Sequence, residues 1–354
     1  MRILHISEAF GGGLRTAIVN FVAATPQHEH RIYVRLRKGH ETVDIPRAAQ
    51  FDHYTGGMVG FLTSASRLAA EGDFDLVHLH SSYAGLIRGL LPRATKTVYS
   101  PHCYAMETNH SGLRRASYRS LEWALARRDQ VLIAVSPHEM ELGRQLNPSM
   151  LAAEVRNAAP ECSVTSVPNP GSSPPIIAML GRICAQKDPE FFARICMALG
   201  RGRFRYQWIG DGDDGRDALE EAGVEITGWV PHQRSRELLA AASLYVHSAA
   251  WEGGPLATLE AAEAGCPVMV RTIPSMQSLG YYVAGESPEL VAARVERFFG
   301  DNEFRESVRE RTRALADENS FERLAEDLQH AYEFAYERLT PAGLRAPATR
   351  AAYV

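Results

Sequence analysis

Two glutamates eight positions apart, Glu252 and Glu260, bracket a Gly-Gly-Pro turn in WEGGPLATLEAAEAGCP (251–267). Pro255 suits the first turn of a helix, because it lacks a donor that would go unused there. Eight residues of continuous helix rise about 12 Å, whereas retaining glycosidases hold their two carboxyls only about 5–5.5 Å apart. The pair is thus unsuited to hydrolytic acid–base work and suits two separate contacts to one extended ligand. Amides around Gly253, Gly254, Leu256 and Ala257 would face an anion at the helix N-terminus. One carboxylate would touch a sugar beside that anion, the other a second set of hydroxyls. The simpler alternative is that Glu252 answers the helix dipole and Glu260 is solvated. Leu256, Leu259, Ala262 and Cys266 make an apolar stripe, with Glu260 at its edge and Glu263 within it.

Other residues could serve the same ligand. Arg182 and Lys187 follow the apolar run PIIAMLG, where a loop at the carboxyl end of a parallel strand contacts ligands. Two cations there can neutralise a diphosphate as charge develops on it, the arginine through a planar fork and the lysine as a point charge. Their alternative is surface pairing with Asp188 or Glu190. His102 follows the short run TVYSP, while His5, His78 and His80 lie within strand-like runs and read as structural. FGGGLRT has Gly11 and Gly13 of a dinucleotide fingerprint but Thr16 in place of its third glycine. Cations after HRIYV keep an NADP-binding oxidoreductase open as an alternative. Asp211 and Asp213 form a formal DxD, yet they sit beside glycines in a loop, and no metal is expected.

These residues need a scaffold. Short β-branched runs (RILHIS, RIYVRLR, DLVHLH, TVYSPH, QVLIAVS) alternate with helical patterns such as 58–71 and 113–128, which favours a parallel sheet with helices on both faces. The rhythm breaks across the Pro-, Ser- and Gly-containing stretch 155–175 and then resumes with PIIAMLGR, RYQWIG, VEITGWV, SLYVHSA and PVMVRT. The fold class is α/β, with two Rossmann-like doubly wound domains. The boundaries are 1–165, 173–320, a C-terminal helix over 321–340 and a tail over 341–354. The basic segment 111–128 reads first as an amphipathic helix packed on the sheet, and otherwise as a helix lying on an anionic membrane.

The E-x7-E turn and helix resembles the signature of glycosyltransferase family four, retaining enzymes of GT-B architecture. In order along the chain, EAFGGGLRTAIVNF is similar to its glycine-rich first loop, YSPHCY to its T-x-H segment and AVSPHE to its V-S segment. LGRICAQKDP resembles its G-R-x4-K segment, YQWIGDGDD its I-G-x-G loop, and ITGWVP its G-x-V-P stretch. The resemblance implies two domains facing across a cleft, with the last helix returning to the first domain. It implies that Arg182 and Lys187 hold a donor diphosphate, Glu260 the ribose, Glu252 the donor sugar and the backbone near Val230 the base. Gly12 and Gly13 would bring amides to the donor, and His102 a hydrogen bond to a sugar hydroxyl; Ser136 and Asn157 are weaker candidates. The implied partners are a nucleotide-diphosphate sugar, UDP-linked before GDP-linked, and a glycan or lipid-linked acceptor. A sugar-nucleotide epimerase and a non-catalytic sugar-nucleotide binder remain alternatives. The segment SMQSLGYYVAGESPELVAARV departs from the family's E-x-V and G-x-L-V stretches.

Composition bounds these readings. The chain has 354 residues, 45% hydrophobic and 23% charged, with a net charge of −4. Such a charge argues against nucleic-acid binding by bulk electrostatics. No run is long and apolar enough for a membrane span, and MRILHISEAF turns polar too early for a secretory signal. Five scattered cysteines, without a CxxC pair, suggest reduced thiols, and the expected setting is cytoplasmic, with a peripheral place at a membrane as the alternative.

Overall fold

Strands that are apolar on both faces belong in the middle of a parallel sheet covered by helices. The computed structural model has two such sheets and describes residues 1–36, 49–108, 111–159 and 174–340. The chain divides into two compact units, Met1–Asn157 joined by the chain from Phe321, and Ala158–Ser320. The tail over 341–354 and the segment 160–173, which holds both expected domain limits, lie outside the described residues.

In unit 1 the order is β1 (Arg2–Ser7), α1 (Gly12–Ala24), β2 (Glu29–Arg35), β3 (Ala49–Tyr54), α2 (Met58–Glu71), β4 (Leu76–His80) and β5 (Thr97–Ser100). Then come α3 (Gly112–Leu125), β6 (Val131–Ala134), α4 (Pro137–Leu146) and β7 (Leu151–Glu154). The sheet runs β3-β2-β1-β4-β5-β6-β7, all parallel. Its order reverses between β1 and β4, the switch point where ligands of such sheets bind. β4, β5 and β6 are buried along their whole length, whereas the edge strands β3 and β7 are largely half-buried or exposed.

Unit 2 contains β8 (Ile176–Leu180), α5 (Pro189–Leu199), β9 (Arg205–Ile209), α6 (Arg216–Glu221), β10 (Val224–Ile226), α7 (His232–Ala241) and β11 (Leu244–His247). It continues through α8 (Leu256–Glu263), β12 (Val268–Arg271), α9 (Pro274–Ser278), β13 (Val283–Gly285), α10 (Pro288–Gly300) and α11 (Asn302–Glu318). Its sheet runs β10-β9-β8-β11-β12-β13, with the reversal between β8 and β11. The final helix, α12 (Phe321–Arg338), belongs to unit 1 and packs on α1, β4 and β7. It buries Leu324, Leu328, Ala331, Tyr332 and Ala335, one apolar stripe at helical spacing.

Two local expectations are corrected. Pro255 is the N-cap of α8 rather than its first helical residue. The 111–128 segment does not pack on the sheet as an ordinary amphipathic helix, because Glu122 is the only buried residue of α3. Leu113 is 82% exposed and Trp123 51% exposed. The helix is tied down by an ion pair instead. Arg88 Nη2 lies 2.6 Å from Glu122 Oε2, and the Arg88 guanidinium stacks on the Tyr99 ring. With Glu122 meeting Arg88, Leu113, Leu121 and Trp123 are left exposed, while Tyr118 packs against the core.

Candidate functional site

At the unit 2 switch point, the loop after β8 and the loop after β11 are laced together. Ala250 N–H donates to the Gln186 carbonyl at 2.9 Å, and the Ser248 hydroxyl to the Lys187 carbonyl at 2.7 Å. Gln186 Nε2 reaches the Trp251 carbonyl at 3.2 Å and Glu252 Oε2 at 3.3 Å. Lys187 and Glu252 form an ion pair, with side chains only 15% and 7% exposed. Gly181, at φ 148°, makes room for the lysine stem: a Cβ there would sit 3.0 Å from Lys187 Cε. A Cβ on Gly210, the first glycine of the I-G-x-G loop, would lie 2.2 Å from the Gly181 carbonyl oxygen. That loop is glycine because it must pack backbone-to-backbone against the cation-bearing one.

The electrostatics of this cluster are set by pairing. Burial opposes the Glu252 charge, but Lys187 and a hydrogen bond from His247 outweigh it and hold the carboxyl at about 2. His247 Nε2 lies 3.2 Å from Glu252 Oε1, and Tyr245 hydroxyl lies 3.0 Å from His247 Nδ1. Burial, with Lys187 adding to it, depresses the His247 pKa. His247 escaped the sequence reading. Its signal was a polar residue ending a run otherwise suited to a buried strand, YVHS. Neither cation takes the surface pairing that sequence allowed. Asp188 instead caps α5 through Phe191 N–H at 3.1 Å and pairs with Arg271 at 2.6 Å. Arg182, on the same loop as Lys187, is exposed and has no hydrogen-bond or ion-pair partner among the described residues.

The next helix offers an open N-terminus. Pro255 provides no side-chain cap to α8, whose first residues are Leu256 and Ala257. Glu260 is buried, not at the margin of the stripe, and Glu263 is the exposed one. The straight helical wheel misplaced both, since α8 is covered on several sides and buries Leu256, Thr258, Leu259, Glu260, Ala261 and Ala262 together. Glu260 Oε1 lies 3.5 Å from His232 Nε2, the first residue of α7. Val230, just ahead of α7, is half-buried against the unit 2 core. Asp211 of the formal DxD is engaged by Arg216 at 2.6 Å and by Gly212 N–H at 2.9 Å.

Unit 1 contributes candidates from its own switch region. Gly12 and Gly13 are the first two residues of α1, whose N-cap Gly11 offers no side chain. Of the cations after HRIYV that kept a dinucleotide reading open, Arg35 donates to the Gly56 carbonyl at 2.8 Å, and Arg37 and Lys38 lie outside the described residues. His102 and Cys103 follow β5 with φ of 51° and 98°, a left-handed turn costly for residues other than glycine. Glu139 holds that turn. Its Oε1 accepts from Cys103 N–H at 2.8 Å and its Oε2 from Val135 N–H at 2.9 Å. Burial raises the Glu139 carboxyl to about 7 against these donors. Ser136 is the N-cap of α4, its hydroxyl accepting from Glu139 N–H at 3.2 Å, and Asn157 is buried at the end of unit 1. The S-x-x-E spacing of SPHE was the legible signal for Glu139.

Comparisons with known proteins bear on the family and the fold. A family model described as glycosyltransferase family 4 matches residues 11–149, and one described as glycosyl transferases group 1 matches residues 174–301. An uncharacterised 41.2 kDa protein of the cps region of Klebsiella pneumoniae is 23% identical over 300 residues, 78% of this chain and 82% of that one. The Escherichia coli UDP-Gal:alpha-D-GlcNAc-diphosphoundecaprenol alpha-1,3-galactosyltransferase is 24% identical over 243 residues, 60% of this chain and 61% of that one. Among solved structures, sucrose-phosphate synthase of Thermosynechococcus elongatus superposes with a TM-score of 0.76 at 15% identity, covering 94% of this chain and 98% of that one. Anabaena HepE in complex with UDP and glucose gives 0.74 at 15% identity, covering 94% and 99%. The two matched segments take in most of both units, and the chain belongs to the GT4-like glycosyltransferases of GT-B architecture.

Proposed function

We propose that this glycosyltransferase transfers a sugar from a UDP-sugar, with retention at the anomeric carbon, to a hydroxyl of a lipid-linked glycan at a membrane surface. The observation that carries the donor half is the cluster beyond β8 and β11: an unpartnered Arg182, the Lys187–Glu252 pair and the uncapped start of α8. Arg182, Lys187 and the amides of Gly253, Gly254, Leu256 and Ala257 bind the diphosphate, and Glu260 accepts from the ribose hydroxyls. The backbone at Val230 meets the base. In unit 1, Gly12 and Gly13 offer amides to the donor, and His102 hydrogen-bonds a sugar hydroxyl. HepE, solved with UDP and glucose, and the galactosyltransferase, whose name specifies UDP-galactose and a diphosphoundecaprenol acceptor, support the choice of nucleotide and acceptor.

The reaction is a front-face substitution. The bond from the anomeric carbon to the leaving phosphate oxygen breaks, and the bond to the acceptor oxygen forms on the same face. The acceptor proton passes to the leaving phosphate. Arg182 and Lys187 stabilise the charge that develops there; no divalent ion is required for that step. A carboxyl held at about 2, with Oε1 already engaged by Lys187 and His247, is a poor base and an encumbered nucleophile. Glu252 therefore acts as an ionised anchor for Lys187 and as a sugar ligand.

Thermal-shift titrations with UDP, GDP and ADP, followed by release assays on UDP-galactose and UDP-glucose, test the proposal. Stabilisation by UDP above the others, with acceptor-dependent UDP release, is expected. Stabilisation by GDP or ADP alone, or an inverted product anomer, overturns it.

A further inference from the structure

Four imidazoles in unit 1 form a single hydrogen-bonded line. His30 Nε2 lies 2.9 Å from the Thr25 carbonyl oxygen, and His30 Nδ1 lies 3.0 Å from His5 Nε2. His5 Nδ1 lies 3.0 Å from His80 Nε2, and His80 Nδ1 lies 3.0 Å from His102 Nε2. The rings come from the adjacent strands β2, β1 and β4 and from the turn after β5. His5, His30 and His80 are buried, and His102 is half-buried at the end of the line.

The polarity of the line follows from its first member. A carbonyl oxygen only accepts, so His30 Nε2 carries the proton. The Thr25 hydroxyl, 3.3 Å from the same nitrogen, gives its own proton to the Phe21 carbonyl at 2.8 Å and cannot reverse the direction. A neutral imidazole has one N–H and one lone pair. His30 Nδ1 must then accept from His5 Nε2, His5 Nδ1 from His80 Nε2, and His80 Nδ1 from His102 Nε2. Each ring is an Nε2–H tautomer, and His102 is left with a bare Nδ1, for which the structure shows no partner among the described residues.

Reversing the line would need a second proton on His30. Burial disfavours it, and so do the charges of neighbouring His28 and the amino terminus, which lies 3.4 Å from His28 Nδ1. Burial likewise depresses His5 and His80, and it brings His102 down to about 4. His78, stacked beside the line, is itself satisfied by Tyr332 hydroxyl at 3.0 Å and Ser100 hydroxyl at 2.9 Å. The ring nitrogens of His5, His78 and His80 approach within the 4.8 Å that a metal ion could bridge, yet all six already have hydrogen-bond partners.

We infer that the Thr25–His30–His5–His80 line fixes the tautomer of His102 and leaves its Nδ1 as the acceptor for a hydroxyl of the sugar substrate, so that His5, His30 and His80 are positioning residues. This rests on the assignment of His102 to a sugar contact. The direct test is ¹⁵N NMR of histidine-labelled, ligand-free protein at pH 7. All four rings should be neutral with the proton on Nε2. A charged His102, a proton on its Nδ1, or zinc retained stoichiometrically by His5, His78 and His80 overturns the inference.

Substitution at His5 adds a kinetic readout. His5→Leu leaves His80 Nε2–H without an acceptor, and His102 should become a mixture of tautomers. His5→Gln supplies an amide N–H for His30 and a carbonyl for His80, and should keep the Nε2–H form. With whichever of UDP-galactose and UDP-glucose the parent protein turns over, kcat/KM should fall about tenfold in His5→Leu, the worth of one hydrogen bond. It should recover in His5→Gln, with UDP affinity within about twofold throughout. Equal losses in both variants, or a parallel loss of UDP binding, would assign His5 a purely structural role. Absence of turnover with both sugars counts against the donor assignment, whereas the ligand-free spectra judge the histidine line, even where a variant does not fold.

Discussion

Arg182 and Lys187 look interchangeable in sequence and are not so in the fold. Arg182 is exposed and unpartnered, so Arg182→Ala should lower turnover by about 100-fold. Its thermal midpoint should stay within about 1 °C, as for a surface change. Lys187 neutralises a carboxylate whose side chain is 7% exposed. Lys187→Ala should cost about 3 kcal/mol of stability as well as activity, because it strands a buried charge. Denaturant melts beside kinetics for the two variants separate these cases; equal melts would dismiss the buried pair. Glu139 gives a pH signature of the opposite kind to Glu252. Its folded pKa of about 7 lies above the usual carboxyl value of 4.5, so the folded state holds the proton more tightly. The resulting stabilisation is complete below pH 4.5 and is lost as pH rises through 7, about 3 kcal/mol in all. Glu139→Gln should flatten that part of the stability–pH curve in urea melts at successive pH values; an unchanged slope would reject the shift.

Elements were legible where their pattern was strong. The apolar strands β1, β4, β6, β8 and β11 could be placed from their runs alone, as could α2 and α12 from their helical spacing. The edge strands β3 and β7 could not. AQFDHY carries polar residues on a half-covered edge, and LAAE has the composition of a helix. Sheet pairing, rather than propensity, makes them strands. In α3 the pattern was read and its orientation was not. A basic helix that exposes Leu113, Leu121 and Trp123 beside Arg114, Arg115 and Arg119 has the features of an interfacial helix. Co-sedimentation with phosphatidylglycerol vesicles should therefore exceed that with phosphatidylcholine. Replacing Leu113 and Trp123 with serine should weaken it at least about fivefold, a loss that follows from withdrawing two apolar anchors. Equal sedimentation with both lipids would remove the membrane assignment.

At the scale of the whole molecule, unit 2 is continuous in sequence, whereas unit 1 is completed by the last helix. α12 supplies five buried side chains, and its Tyr332 hydroxyl meets His78 at the centre of the unit 1 sheet. Ending the chain at Ser320 should lower the unit 1 melting transition by at least about 10 °C, given the apolar area that α12 removes from water. The unit 2 transition should be little affected, and calorimetry that showed both unchanged would deny α12 that role. The sequence by itself determined the alternating α/β order, the two doubly wound sheets and the E-x7-E and Arg–Lys motifs, because these depend on local periodicity and spacing. Only the tertiary structure decided that Lys187 pairs with Glu252 and that Glu122, not the apolar face, anchors α3. It also decided that four histidines scattered from position 5 to position 102 share one line of protons. Those outcomes depend on which strands lie side by side and how deeply each charge is withdrawn from water, and sequence separation carries neither.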